Sequence, residues 1–120
     1  MKLYEIIQIL DAETLYNVQD KLDIKVNMAC GCDLMSDVLS FIKSKALLLT
    51  GLTTPQVIYT AENSEVEVVC FVRGKKPRRE IINLAKEKNI ILLATKHPLY
   101  ESCGLLYKHG LKGCSEVMDK

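Results

Sequence analysis

Two nucleotide-binding signatures are missing from this sequence. No Gly-x-x-x-x-Gly-Lys-Ser/Thr run occurs, which argues against nucleotide hydrolysis on a phosphate-cradling loop, and no Gly-x-Gly-x-x-Gly turn follows an apolar run. Histidine is scarce. His97 and His109 are the only two, and neither has a sequence partner that marks a catalytic triad. No apolar run approaches the length of a membrane-spanning helix, and the N-terminus lacks the basic, apolar, small-residue order of a signal peptide. The expected location is therefore cytoplasmic, with no membrane partner. Five cysteines form no Cys-x-x-Cys pair, so neither a disulfide framework nor a metal site is expected, and Cys30-Gly31-Cys32 reads as structural thiols. No cofactor is expected either. With 16 basic and 15 acidic residues the net charge is +1, which provides no general attraction to nucleic acid.

What is present is enough for one domain. A chain of 120 residues with 48% hydrophobic content buries roughly two-thirds of its unfolded surface. The central stretch is Val66–Val72, a short apolar run rich in β-branched residues that reads as a buried strand. It runs directly into Arg73-Gly74-Lys75-Lys76-Pro77-Arg78-Arg79, where five of seven residues are basic. Pro77 suits the first turn of the helix that follows. Two other apolar runs, Ala46–Leu49 and Ile90–Ala94, end in a similar way, in Thr50-Gly51 and Thr95-Lys96.

Around these runs the periodicity supplies the remaining elements. Leu3, Ile6, Ile7 and Leu10 share one face of a short helix, closed by Asp11-Ala12-Glu13, and Thr14–Asn17 forms a small edge strand. A polar turn over Asp20–Asp23 leads to the alternating strand Ile24–Cys30. Asp33 stands at an N-cap position before a helix carrying Leu34, Met35, Val38, Leu39 and Ile42. Further helices are expected from Pro55 to Glu62, from Arg78 to Lys88 with Asn89 as its cap, and from Pro98 to Lys108. The last of these presents Leu99, Cys103, Leu106 and Tyr107 as its apolar face. The order is strand and helix in alternation, which predicts an α/β fold: a single three-layer domain with a mainly parallel sheet. It occupies residues 1–113, with 114–120 as a C-terminal tail.

In open parallel sheets ligands bind outside the carboxyl ends of the strands. Three loops are expected on that edge: Thr50-Gly51-Leu52-Thr53-Thr54, Arg73-Gly74-Lys75-Lys76 and Thr95-Lys96-His97. Gly51 and Gly74 permit close backbone approach. Thr50, Thr53, Thr54 and Thr95 offer hydroxyls, and Arg73, Lys75 and Lys96 offer charge-assisted bonds to carboxylate or phosphate. Asp33, Ser36 and Asp37 border the same edge. The competing structural readings are plain ones. Asp33 and Asp37 would then only stabilise a helix start, Gly51 would only serve a turn, and Lys76, Arg78 and Arg79 would form a solvated helix start.

Four motifs carry a resemblance: Cys32-Asp33-Leu34-Met35-Ser36-Asp37-Val38-Leu39, Leu49-Thr50-Gly51-Leu52-Thr53-Thr54-Pro55-Gln56-Val57-Ile58, Phe71-Val72-Arg73-Gly74-Lys75-Lys76-Pro77 and Leu93-Ala94-Thr95-Lys96. In this order, over roughly Leu3 to Gly113, the chain resembles the free-standing DRTGG-domain proteins of anaerobic bacteria. The resemblance implies a fold like that of the N-terminal domain of HPr kinase/phosphorylase. It also implies a regulatory, dimer-forming module with no catalysis of its own, since the kinase activity belongs to a separate P-loop domain. Related domains are found joined to phosphotransacetylases and to the regulatory inserts of nucleotide-controlled pyrophosphatases.

Three functional expectations follow. The first is a non-catalytic, homodimeric regulatory module that senses a small anionic metabolite or nucleotide at the strand ends. The second is a protein-interaction subunit that docks on a redox or metabolic enzyme without a small ligand, through Leu111, Val117 and Met118. The third is an enzyme using Asp37 or His97 as general base, with Arg73 and Lys96 holding an anionic substrate.

Overall fold

The computed structural model describes residues 1–17 and 21–116. Asp20, Val117 and Met118, which carry part of the expected turn and tail contacts, lie outside the described residues. The chain order is α1 (Leu3–Leu10), β1 (Glu13–Tyr16), β2 (Met28–Gly31), α2 (Met35–Phe41), β3 (Ala46–Thr50), α3 (Pro55–Asn63), β4 (Val68–Phe71), α4 (Arg79–Lys88), β5 (Ile91–Ala94), α5 (Leu99–Lys108) and β6 (Lys112–Gly113). A 3-10 turn at Cys114–Glu116 follows.

One sheet contains all six strands, in the order β1-β5-β4-β3-β2-β6. β2 to β6 pair in parallel, and among the strands of the described residues only β1 runs antiparallel, along the outer side of β5. Every residue of β3, β4 and β5 is buried, as continuous apolar strands covered on both faces must be. One covering layer is α2, α3 and α4, whose Val38, Ile58 and Ile81 pack on Leu48, Val69 and Leu92. The other is α1 and α5, whose Leu3, Ile6, Leu10 and Leu106 pack on Leu47, Leu49, Cys70 and Leu93. The expected three-layer α/β domain is the observed architecture.

This layering positions the strand ends. Three crossovers move the chain one strand at a time from β2 to β5, with their helices on one face. The fourth, through α5, passes over the opposite face and returns the chain beyond β2. The outgoing helices of β4 and β5 therefore leave on opposite sides, which places the topological switch between the carboxyl ends of those two strands.

Several local expectations are corrected by packing. Asp33 does not cap α2: the N-cap is Leu34, without a side-chain cap bond. Pro77 lies ahead of the first turn of α4, whose N-cap is Arg78. Leu34 and Leu39 point to solvent, since the short α2 buries only Met35 and Val38. Tyr107 is likewise exposed, and the interior position of α5 beside Leu106 goes to Ser102. Leu111 is buried in the core instead of being an exposed contact. Beyond it, Lys112 and Gly113 pair with Met28 and Ala29, a strand too short for any periodicity to announce.

Candidate functional site

The carboxyl ends of β2, β3, β4 and β5 form one continuous rim, joined loop to loop by hydrogen bonds. At the β2 end, Asp33 Oδ1 accepts from Thr50 Oγ1 at 2.8 Å and from the Gly51 amide at 2.8 Å. Thr50 Oγ1 in turn accepts from the Leu52 amide at 3.2 Å, so this buried hydroxyl is fully engaged. Thr50 also receives the Val72 amide on its carbonyl, at 3.1 Å, which ties the β3 end to the β4 end.

The β4 loop is a tight turn. Arg73 and Gly74 have φ of 61° and 69°, and the Lys75 amide donates to the Val72 carbonyl at 3.2 Å. Two successive positive φ values at the centre of such a turn favour glycine, and Arg73 adopts this conformation with a side chain attached. The turn folds onto the β5 loop: the Arg73 amide donates to the His97 carbonyl at 2.8 Å, and the Gly74 amide to the Thr95 carbonyl at 2.9 Å. These two bonds close the crevice at the switch point. Thr95 anchors the far side, its buried hydroxyl donating to the Leu10 carbonyl at 2.6 Å and accepting from the His97 amide at 3.3 Å.

The geometry sorts the expected site residues. Asp33, Thr50, Gly51, Arg73, Gly74, Thr95 and Lys96 stand on the joined rim. Thr50 and Thr95 spend their hydroxyls inside the fold and act as struts. Gly51 has room for a side chain, since a Cβ there would lie 3.6 Å from Asp33 Oδ2, an ordinary contact; only Gly74 is required by its backbone. Thr53 and Thr54 continue the rim toward α3, half-buried and exposed, while Ser36 and Asp37 are exposed on the first turn of α2. The exposed side chains of Arg73, Lys75 and Lys96 enter no ion pair among the described residues, whereas Lys76 pairs with Glu13 at 2.9 Å. Of the two candidate bases, neither Asp37 nor His97 makes a side-chain hydrogen bond among the described residues. Among those residues no group of three or more His, Cys, Asp or Glu is placed to hold a metal.

A second feature escaped the sequence reading. A cleft of about 640 Å³ opens between α5 and the β2–β6 edge, lined by Ala29, Gly31, Gly104, Leu105 and Gly113 among others, with His97 and Leu49 at the rim side. Gly104 leaves open space on the α5 side of the cleft, whereas Gly31 is in close contact with Cys103 Sγ and Leu99 and lets α5 approach β2. Isolated glycines at 31, 104 and 113 were the available signal, but only the crossover of α5 brings them to one place.

Fold and rim together define an open, doubly covered α/β domain whose polar loops gather at the strand ends. More particularly, the chain belongs to the DRTGG domain family, whose model matches residues 5–108. Among solved structures it is similar to the CBS and DRTGG domains of the regulatory region of Clostridium perfringens pyrophosphatase, determined with the activator diadenosine tetraphosphate. That similarity has a TM-score of 0.71 at 20% identity, and covers 98% of this chain and 50% of the other. The chain thus spans half the length of that regulatory region. No curated protein matches the sequence.

Proposed function

We propose that this chain is a non-catalytic regulatory module that binds a small anionic metabolite or nucleotide at the rim, through Arg73, Lys75 and Lys96. The observation that carries the reading is the pair of backbone bonds from Arg73 to His97 and from Gly74 to Thr95. They hold two basic loops side by side with their cationic side chains in solvent and unpaired among the described residues. Such an arrangement recognises phosphate or carboxylate groups by charge-assisted hydrogen bonds. The pyrophosphatase regulatory region, determined with a nucleotide activator, supports the same direction. As a regulatory module the chain acts on a partner enzyme, works as a symmetric homodimer, and resides in the cytoplasm, where lasting structural disulfides are rare.

Thermal-shift titration with ATP, diadenosine tetraphosphate and inorganic phosphate tests the reading. A ligand at 100 times its Kd adds about 2.7 kcal/mol, or roughly 10 °C for a domain of this size. The double variant Arg73→Ala with Lys96→Ala is expected to abolish the shift. A shift that survives it, or none with any anion, overturns the assignment, and light scattering at micromolar concentration checks the dimer.

One observation favours a second reading, a surface for another protein. Leu34, Leu39 and Phe41 leave α2 with an exposed apolar side, Phe41 at 67% exposure, and Tyr100 on α5 is 84% exposed. Pull-down with Phe41→Glu against the unmodified chain separates the two: loss of a captured enzyme without loss of anion binding assigns α2 to the partner.

A further inference from the structure

Cysteines cluster about β2, and two of them meet. β2 and β6 are parallel neighbours in which Met28 pairs with Lys112 and Ala29 with Gly113. Cys30 and Cys114 are the next residues along the two segments. Cys114 opens the 3-10 turn directly after β6, one residue beyond a parallel pair whose Cα separation is within the range that a disulfide spans. Side chains in a strand alternate between faces. Ala29, Gly31 and Gly113 line the cleft beside α5, while Met28, Cys30 and Cys114 pack together with Ala46 and Ile42 on the other face. The two thiols therefore share one side of the sheet and one small apolar cluster. Cys103 sits across the sheet, next to Gly31. Cys32 is engaged locally with the Leu34 amide and carbonyl. Cys70 is fully buried at the sheet centre.

From this juxtaposition we propose that Cys30 and Cys114 form a reversible disulfide under peroxide, an oxidative staple that locks the C-terminal turn onto β2. The chemistry has two steps. The Cys114 thiolate attacks one oxygen of hydrogen peroxide, the O–O bond breaks, hydroxide leaves, and the sulfur becomes a sulfenic acid, oxidised by two electrons. The Cys30 thiol then attacks that sulfur, the S–O bond breaks, and water leaves with the proton of Cys30. Two thiols are converted to one disulfide as one peroxide is reduced.

The division of roles follows from the surroundings. Cys114 is biased toward the thiolate by the hydrogen bond from Cys30, by the Lys43 backbone amide and by the Lys43 charge. Cys30 keeps its proton because it shares the bond with Cys114 and is partly desolvated. A thiolate beside a resolving thiol favours the disulfide, and Cys114, 7% exposed, lies just past the edge strand β6 beside the half-buried Cys30. The consequence is local but bears on the cleft. Gly113 and Lys112 line its floor, and the staple holds them to β2 at the next residue along.

Mass spectrometry of the full chain tests this. Protein treated with stoichiometric hydrogen peroxide, then denatured and alkylated, is expected to show three alkylated cysteines in place of five, with the Cys30 and Cys114 peptides joined within one chain. Thiol reductant is expected to restore five. The Cys30→Ser variant is expected to accumulate a sulfenic acid at Cys114 that a dione probe captures, and Cys114→Ser to form no intramolecular link. Oxidation that begins at Cys32 or Cys103 overturns the proposal. So does a link that forms between chains, or a Cys114 that passes to sulfinate while Cys30 stays free in the unmodified chain.

Discussion

Replacing Asp33 by alanine removes the acceptor that joins the β2 end of the rim to the β3 end. Two bonds of 2.8 Å are lost at once, leaving the buried Thr50 hydroxyl and the Gly51 amide without their partner. A hydrogen bond to a charged group contributes about 1.5–3 kcal/mol, but the Asp33 carboxylate is partly solvated, so about 2 kcal/mol for the pair is the reasoned figure. At about 2.1 cal/mol/K per residue the unfolding entropy of 120 residues is about 0.25 kcal/mol/K, so this loss lowers Tm by about 8 °C. Thr50→Val removes the other side of the same contact at about 1–1.5 kcal/mol, with little change of volume. Because the two residues share one bond, the double variant is expected to fall short of additivity by about 1 kcal/mol. The assay is thermal and urea unfolding of the four proteins of the cycle. Asp33→Ser distinguishes the alternative role, since serine caps a helix as well as aspartate but is too short to serve Thr50 and Gly51 together. Additive single variants, or an Asp33→Ser protein as stable as the parent, would refute the reasoning.

Three other perturbations address separate parts of the molecule. Gly31→Ala places a Cβ 2.5 Å from Cys103 Sγ and 3.1 Å from Leu99 Cδ1; a loss of about 1–3 kcal/mol is expected, relieved by adding Cys103→Ala, and equilibrium unfolding of both proteins checks it. Arg73→Gly places glycine at a φ of 61°, so stability is expected to hold or rise by up to about 1 kcal/mol while the thermal shift with phosphate ligands falls. That variant separates the backbone role of position 73 from its charge. Burial pushes the Cys70 thiol up to about 12 from 9.0. The unfolded chain therefore releases this proton first, and between those two values the stability falls as pH rises, by about 1.4 kcal/mol per pH unit. Cys70→Ala is expected to flatten that alkaline arm of the stability curve, measured by urea unfolding across the alkaline range.

Burial pattern made the sheet legible in the chain. Ala46–Leu49 and Ile90–Ala94 are apolar without alternation, and such strands need cover on both faces, which only an α/β sandwich of alternating elements provides. The Arg73-Gly74 turn was legible for an equally local reason, since glycine admits a positive φ and Pro77 fixes its own φ just beyond. Asp33 marks where local reasoning stops. Nothing within a few residues distinguishes a helix cap from a strut, because both use the same carboxylate. The choice fell to Thr50 and Gly51, seventeen and eighteen residues away.

Composition and periodicity alone therefore determined the class of fold, the common direction of the central strands and the basic character of their ends. The tertiary structure decided which hydroxyls remain free, since Thr50 and Thr95 look available in the sequence and are spent on Asp33 and Leu10. It also decided the cleft beneath α5 and the meeting of Cys30 with Cys114, both products of one long crossover that returns the chain past β2. The reason is one of range. Periodicity reports which face of an element is buried, whereas hydrogen-bond partners and cavities depend on which distant segment arrives against that face.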